Sequence, residues 1–227
     1  MRWSTPSSGS WAKIAKRAFD ILFAGVLLVL LAPLLLAIAL AIRLSSRGPA
    51  LFAQQRAGKG GKPFTLYKFR TMRLDVEPFG PSPRSPDDPR LTGVGRWLRE
   101  RSLDELPQLA NIVKGDMSLV GPRPLYVSQI AEWNDRQRRR LSVRPGLTGL
   151  AQIAGRGALT REQKLELDVQ YVERAGLRLD AAVLLATLAR LCGRKGIYEE
   201  RYSQNESVRG EKTLEQAENR TNQDERS

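Results

Sequence analysis

The sequence predicts an α+β protein, mostly helical, in which an apolar N-terminal helix with a proline at its midpoint precedes a compact body with a short β element. Three observations predict it. Residues 23–42 are twenty uncharged, almost wholly apolar residues with Pro33 as the eleventh. Residues 64–70 (FTLYKFR) alternate aromatic or aliphatic with polar side chains, as a half-buried strand does. From residue 94 onward helical periodicity dominates, punctuated by Gly and Pro turns.

The chain divides into four segments. Residues 1–12 (MRWSTPSSGSWA) are polar and Ser-rich, a flexible lead-in. Residues 13–46 form the membrane helix: twenty helical residues reach ~30 Å, about the thickness of a bilayer's hydrocarbon core. Both flanks are basic, with Lys13, Lys16 and Arg17 before the apolar run and Arg43, Arg47 and Arg56 after it, so neither end is marked for the outside. Pro33 removes a backbone hydrogen bond and crowds the preceding turn. From these residues two readings stand side by side: a helix broken at Ala32-Pro33 that dips into one leaflet and returns, and an ordinary span that tolerates its proline.

The body runs over 47–199. It opens on the turn SSRGP (45–49), contains the strand over 64–70, and carries five prolines in residues 76–89, which makes that stretch a loop. Helices are predicted over 94–101, 104–114, 126–141, 161–175 and 180–191. Thr160 with Gln163 forms a capping box for the fourth. The fifth is short and strongly apolar, suited either to the core or to a membrane interface. Cys192, at its end, reads as a small buried hydrophobe. The remaining residues, 200–227, have few apolar side chains and are predicted to be a disordered tail.

Composition narrows the chemistry. There is no histidine, so the commonest general base and metal ligand is absent, and one cysteine excludes an intramolecular disulfide. With 37 Lys and Arg against 24 Asp and Glu the formal charge is +13, which calls for an anionic partner. Catalysis must therefore run on carboxylates, amines or hydroxyls.

The densest candidate stretch is SLDELPQLANIVKGDMSLVGPRP (102–124). Asp104 and Glu105 have an ordinary reading, because Ser102 and Glu105 spell a capping box and acidic residues suit a first helical turn. Pro107 fits that reading poorly, since it would fall where a helix begun at Ser102 already needs an N–H. The other reading is functional: a carboxylate pair can hold Mg²⁺ and supply a nucleophile. Around it lie cations able to grip a diphosphate, namely Lys68, Arg70, Arg99, Arg123, Arg144 and Arg156, several on rigid Gly/Pro turns. Arg136 and the run Arg138, Arg139, Arg140 read instead as a solvated or membrane-surface basic face.

The motifs in order are KRAFD (16–20) before the proline-interrupted apolar run, YKFRTM (67–72), SLDELPQ (102–108), KGDMSLVGPRP (114–124), RPGLTGL (144–150) and AQIAGR (151–156). Together they resemble the bacterial sugar transferase family, the monotopic polyprenyl-phosphate phosphoglycosyl transferases, over residues 12–198. The resemblance implies an enzyme at the cytoplasmic face of the bacterial inner membrane that moves a sugar 1-phosphate from a UDP-sugar to polyprenyl phosphate and releases UMP. It implies Asp104 as the nucleophile that forms a covalent phosphosugar-aspartate, Glu105 beside it as a partner in holding Mg²⁺, and Lys68, Arg99, Arg123 and Arg156 on the phosphates. It also implies the re-entrant helix turning at Ala32-Pro33, within membrane phospholipid, and a homodimer is compatible with it. The compact length and Ala151-Gln152 look most like the small bacillosamine-type members. The chain departs from many relatives in having Ala32 where they have Ser before the proline.

A rival from another class is a membrane-tethered basic nucleic-acid-binding protein. No recognition motif supports it, the aromatics are not interleaved with the basic runs, and the resemblance implies no nucleic-acid partner.

Overall fold

The N-terminal helix α1 (Ser10–Ser45) carries a carboxylate on a face that a simple lipid-embedded helix would keep apolar. Asp20 is only 2 % exposed. It accepts hydrogen bonds from the Ser118 hydroxyl (2.7 Å) and the Leu119 amide (3.2 Å), so it ties the helix to the body. Lys16 pairs with Asp180, and Arg17 donates to the carbonyls of Val113 and Met117. The computed structural model describes residues 10–76, 83 and 85–191, without the side chains of 10–13, 156 and 191. The lead-in before residue 10, part of the proline-rich loop, Cys192 and the tail from 200 lie outside the described residues.

Asp20 begins a stripe at helical spacing. Ala24, Leu27, Leu28 and Leu31 pack into one apolar cluster, and Leu35, Ile38, Ala39 and Ile42 pack into a second. The helix thus lies along the body with both ends fastened to it. At the far end Arg70 donates to the carbonyls of Ser46 and Arg47 (2.9 and 2.7 Å). The opposite face is a continuous apolar surface, including Leu22, Val29, Leu30, Leu36 and Leu44, each more than two thirds exposed. Of its most apolar window, within residues 14–45, only 11 % is buried, with a mean hydropathy of 3.0. A face of this size is a membrane-interaction surface.

Pro33 sits inside one continuous helix, so the expected sequence of helix, break and helix is corrected. Proline forfeits one hydrogen bond, a local penalty, whereas packing fixes the turns on both sides of it. Ala32 and Pro33 both face away from the body. The helix also starts earlier than expected, at Ser10.

The body is α+β and mostly helical, as the sequence predicts. Strands β1 (Leu51–Ala57) and β2 (Pro63–Phe69) form an antiparallel hairpin, with Phe52 opposite Lys68 and Arg56 opposite Phe64. Strands β3 (Ser118–Val120) and β4 (Gly146–Thr148) pair in parallel. Helices α2 (Gly93–Glu100) and α3 (Gln108–Lys114) lie between the two sheets in sequence, and α5 (Leu150–Ala154), α6 (Arg161–Arg174) and α7 (Leu177–Leu191) follow them. The Thr160–Gln163 capping box is present at the start of α6.

One predicted helix is not formed as such. Residues 126–141 fold into 3-10 turns around a single short helix, α4 (Asp135–Arg138). Trp133 takes an extended conformation that buries its ring, and Asn134 caps a fresh start. Helix α7 buries Val183 fully in the core, while Leu185 and Leu188 are exposed.

The anchor of α1 is testable. Asp20→Ala leaves the Ser118 hydroxyl and Leu119 amide without their acceptor, and the expected loss is about 3 kcal/mol. Thermal unfolding in detergent should show a clearly lowered midpoint, with Asp20→Asn losing less because its amide oxygen still accepts from Leu119.

Candidate active site

The acidic pair stands on a tight turn whose geometry is unusual. Helix α2 approaches it so closely that a Cβ on Gly95 would lie 2.0 Å from the Thr71 carbonyl oxygen, so only glycine fits. After α2 the chain reverses at Ser102, the one non-glycine described residue with positive φ (56°). Asp104 and Glu105 then lie in a 3-10 turn, Leu103–Glu105, and Pro107 precedes α3 with helical dihedral angles. The Ser102 side chain makes no capping hydrogen bond, so the capping-box reading of this pair is removed. Strained backbone of this kind is held only where its surroundings enforce it.

The turn buries Asp104 to 7 % exposure. No hydrogen bond or ion pair from a described residue ends on its carboxylate. Burial raises its pKa, and the adjacent Glu105 charge raises it further, while Arg99, Lys68 and Arg123 oppose them. Lys68, on β2, has its amine 5.2 Å from the centre of the Phe52 ring. Burial brings its pKa down to about 8, with Arg99 and Arg56 pushing the same way against Asp104. Arg123 forms a forked pair with Glu105, its nitrogens 2.6 and 3.4 Å from the two oxygens.

Thus the structure gathers Asp104, Glu105, Lys68 and Arg123 from three separate motifs, and Arg99 from α2, into one electrostatic cluster. The backbone of Arg156 lies in a 3-10 turn, Arg156–Ala158, and its side chain is outside the described part. Two other sequence candidates are elsewhere. Arg70 is buried and holds the end of α1, and Arg144 donates to the Gly115 carbonyl at the C-terminus of α3 (2.8 Å), where a cation meets the negative end of the helix dipole.

Sequence reading missed Arg56. It is half-buried beside the cluster, stacks on Tyr126 at 3.7 Å and donates to the Gln54 side chain (2.6 Å). Burial lowers its pKa, and it feels the charges of Arg123 and Glu105. Its segment, LFAQQRA, runs three apolar residues into three polar ones without alternation, so no periodic signal marks the strand.

The GPRP and RPGLTG motifs meet for a steric reason. A Cβ on Gly146 would lie 2.1 Å from the Gly121 amide nitrogen, and one on Gly149 would lie 2.2 Å from the Gly121 carbonyl oxygen. The close β3–β4 pairing that these glycines permit delivers Arg123 to the acidic pair.

The donor set also bears on a metal. Among the described residues no group of three or more His, Cys, Asp or Glu side chains is placed to hold an ion. Asp104 and Glu105 are two carboxylates, so a cation here would complete its shell from phosphate oxygens and water. That donor set fits Mg²⁺, which keeps waters and binds through one or two carboxylates plus substrate phosphate.

Residues 11–194 match the family described as bacterial sugar transferase. The chain belongs to that family. It is 46 % identical over 184 residues to the uncharacterized sugar transferase EpsL of Bacillus subtilis, covering 81 % of this chain and 90 % of the relative. It is 44 % identical over 190 residues to a UDP-glucose:undecaprenyl-phosphate glucose-1-phosphate transferase of Caulobacter vibrioides, covering 78 % and 70 %. To the undecaprenyl-phosphate galactose phosphotransferase of Salmonella typhimurium it is 36 % identical over 202 residues, covering 82 % of this chain and 42 % of that relative. The matched segment of this transferase family therefore includes both α1 and the whole charged cluster.

The cluster predicts a titration. Lys68 should lose its proton with a midpoint near 8, measured by NMR of labelled lysine, well below the ~10.4 of an exposed lysine. Because Asp104 raises that pKa, Asp104→Asn should move the midpoint lower still. A midpoint above 10 in the wild type contradicts the burial argument.

Proposed function

We propose that this transferase moves a sugar 1-phosphate from a UDP-sugar to polyprenyl phosphate and releases UMP, through a covalent phosphosugar on Asp104. The observation that carries this reading is a carboxylate buried to 7 % exposure among the charges of Lys68, Arg99 and Arg123. The names of the Caulobacter and Salmonella relatives, which act on undecaprenyl phosphate with glucose or galactose, support the substrate pair.

In the first half-reaction an Asp104 carboxylate oxygen bonds to the β-phosphorus while the bond from that phosphorus to the bridging oxygen breaks. UMP leaves with the bonding electrons. In the second, a phosphate oxygen of the lipid bonds to the same phosphorus, the acyl phosphate bond breaks, and Asp104 is restored as a carboxylate. Lys68 and Arg99 hold the phosphates and stabilise the charge spread over them in each transition state. Arg123 is half exposed, and its pair with Glu105 is weak enough to open when a diphosphate arrives. Mg²⁺ held by Asp104 and Glu105 would supply charge neutralisation on the diphosphate. The resemblance assigns Arg156 to the nucleotide or lipid phosphate.

The placement of α1 suggests where this happens. Its two ends are fastened to one body by Lys16, Asp20 and Arg70, which suits a helix that enters and leaves the membrane on the cytoplasmic side, as both basic flanks also suggest. The lipid acceptor's headgroup and the soluble UDP-sugar then meet at the same surface.

UMP release measured with UDP-glucose, UDP-galactose and undecaprenyl phosphate should require Mg²⁺. Asp104→Asn should lower it by roughly three orders of magnitude or more and abolish a phosphosugar adduct detectable by mass spectrometry. Full activity in that variant overturns the nucleophile assignment. In a Cys192→Ser background, cysteines introduced at Ser10 and Arg47 should both react with reagent from the cytoplasm, and periplasmic reactivity of either restores a simple span.

A further inference from the structure

Arg140 stands in a run of arginines that reads as a solvated face, yet it is 3 % exposed. Its neighbours in the run behave as expected: Arg136 and Arg139 pair with Glu166 and Glu173 on the half-exposed flank of α6. Arg140 instead pairs with Asp168 of α6, and both side chains are 3 % exposed. Its Nε and Nη2 lie 3.1 and 2.6 Å from Asp168 Oδ2, and its guanidinium lies 4.8 Å from the centre of the Trp133 ring.

The same Nη2 donates a short hydrogen bond to the carbonyl oxygen of Arg123. The Arg123 amide faces Asp168 from the other side and favours its ionised form. Asp168 Oδ1 closes no hydrogen bond of good geometry, so the amide is adjacent to the carboxylate rather than firmly bonded to it. The Arg123 peptide is thus bracketed by a buried ion pair.

That bracket lies where the backbone has little support of its own. Pro122 and Pro124 flank Arg123 and have no N–H to give to a ladder, and residues 123–126 form no regular element. The nearest regular contacts are the Gly146 amide on the Pro122 carbonyl and the Ala57 amide on the Leu125 carbonyl. Arg140 bonds the main chain at Arg123 itself, while Arg56 donates to the next carbonyl, that of Pro124 (3.5 Å). The Arg123 side chain goes directly to Glu105.

We propose that Arg140 and Asp168 are positioning residues for the transfer site: their ion pair sets the Arg123 backbone, and through it the place of the Arg123 guanidinium against Glu105 and the incoming phosphates. The proposal rests on the reading of Arg123 as a site residue. A buried ion pair is a poor device for stability alone, because well-packed apolar residues of the same volume often serve as well. A planar guanidinium, however, reaches a carboxylate and a carbonyl at once, and a lysine's single ammonium does not reproduce that fork.

Arg140→Lys keeps the charge and removes the bridge, and Asp168→Asn keeps the shape and removes the pair. Two readouts decide. Hydrogen exchange, independent of activity, should quicken in residues 121–126 of either variant and stay unchanged in β1 and β2. Unchanged exchange at 121–126, or equal quickening in both places, overturns the proposal even if no substrate is turned over. In UMP release, Arg140→Lys should lower kcat on the order of 10- to 100-fold, the effect of an ångström-scale misplacement. The same substitution in an Arg123→Met background should then cost less than about threefold more, because its effect passes through the missing side chain. Additive losses, wild-type kcat in Arg140→Lys, or failure of both single variants to fold each overturn it. Absence of wild-type UMP release, with the exchange result as expected, fails the functional reading and leaves the positioning role standing.

Discussion

Removing a carboxylate from water is among the more expensive things a fold can do, and Asp104, 7 % exposed, takes no hydrogen bond from another described residue. Its charge is made tolerable by Lys68, Arg99 and Arg123, which come from β2, α2 and the turn after β3. Each of those elements is brought in by a close approach: Gly95 onto Thr71, Gly146 and Gly149 onto Gly121. Three glycines are thus spent on bringing cations near one acid. A carboxylate so placed is poorly solvated and surrounded by cations, conditions that suit the nucleophilic role proposed for it.

The second constraint is that α1 faces two media. Its outward side is apolar from Leu22 to Leu40, while its inward side begins with Lys16, Arg17 and Asp20 and continues as packed aliphatic residues. The polar anchors sit at the ends of the helix and the aliphatic ones in the middle. Such a helix is bound to the body by directional contacts at its edges and by non-directional burial between them. A single proline in the middle is compatible with that, because the register of each half is set independently by its own cluster.

Much of this was legible in the sequence, and the remainder fails for identifiable reasons. The β2 strand, α2, α6 and the Thr160 cap follow from periodicity and capping signals that local chemistry decides. Strands β3 and β4 are three residues each, too short for any period to register. The acidic pair and its four proposed cations, Lys68, Arg99, Arg123 and Arg156, were named through the family resemblance, whereas the residue types alone did not separate them from Arg70 and Arg144. Arg70, Arg140 and Arg144 look like Arg99 and Arg123 in sequence, and only tertiary packing assigns the first three to backbone carbonyls.

That division changes the meaning of the net charge. A formal +13 suggests a surface covered in cations for an anionic partner. In the folded protein Arg17, Arg70, Arg140 and Arg144 each point a guanidinium at main-chain oxygen, at a helix end or a turn, where they satisfy acceptors that would otherwise be poorly met. Arginine suits this use because its charge is weakly hydrated and its donors are fixed in a plane, so one side chain can serve two acceptors with little loss of freedom. The basic composition is therefore partly internal scaffolding. Lys68, Arg99 and Arg123 converge from different elements on Asp104 and Glu105, so part of the positive charge is gathered at one place in the fold.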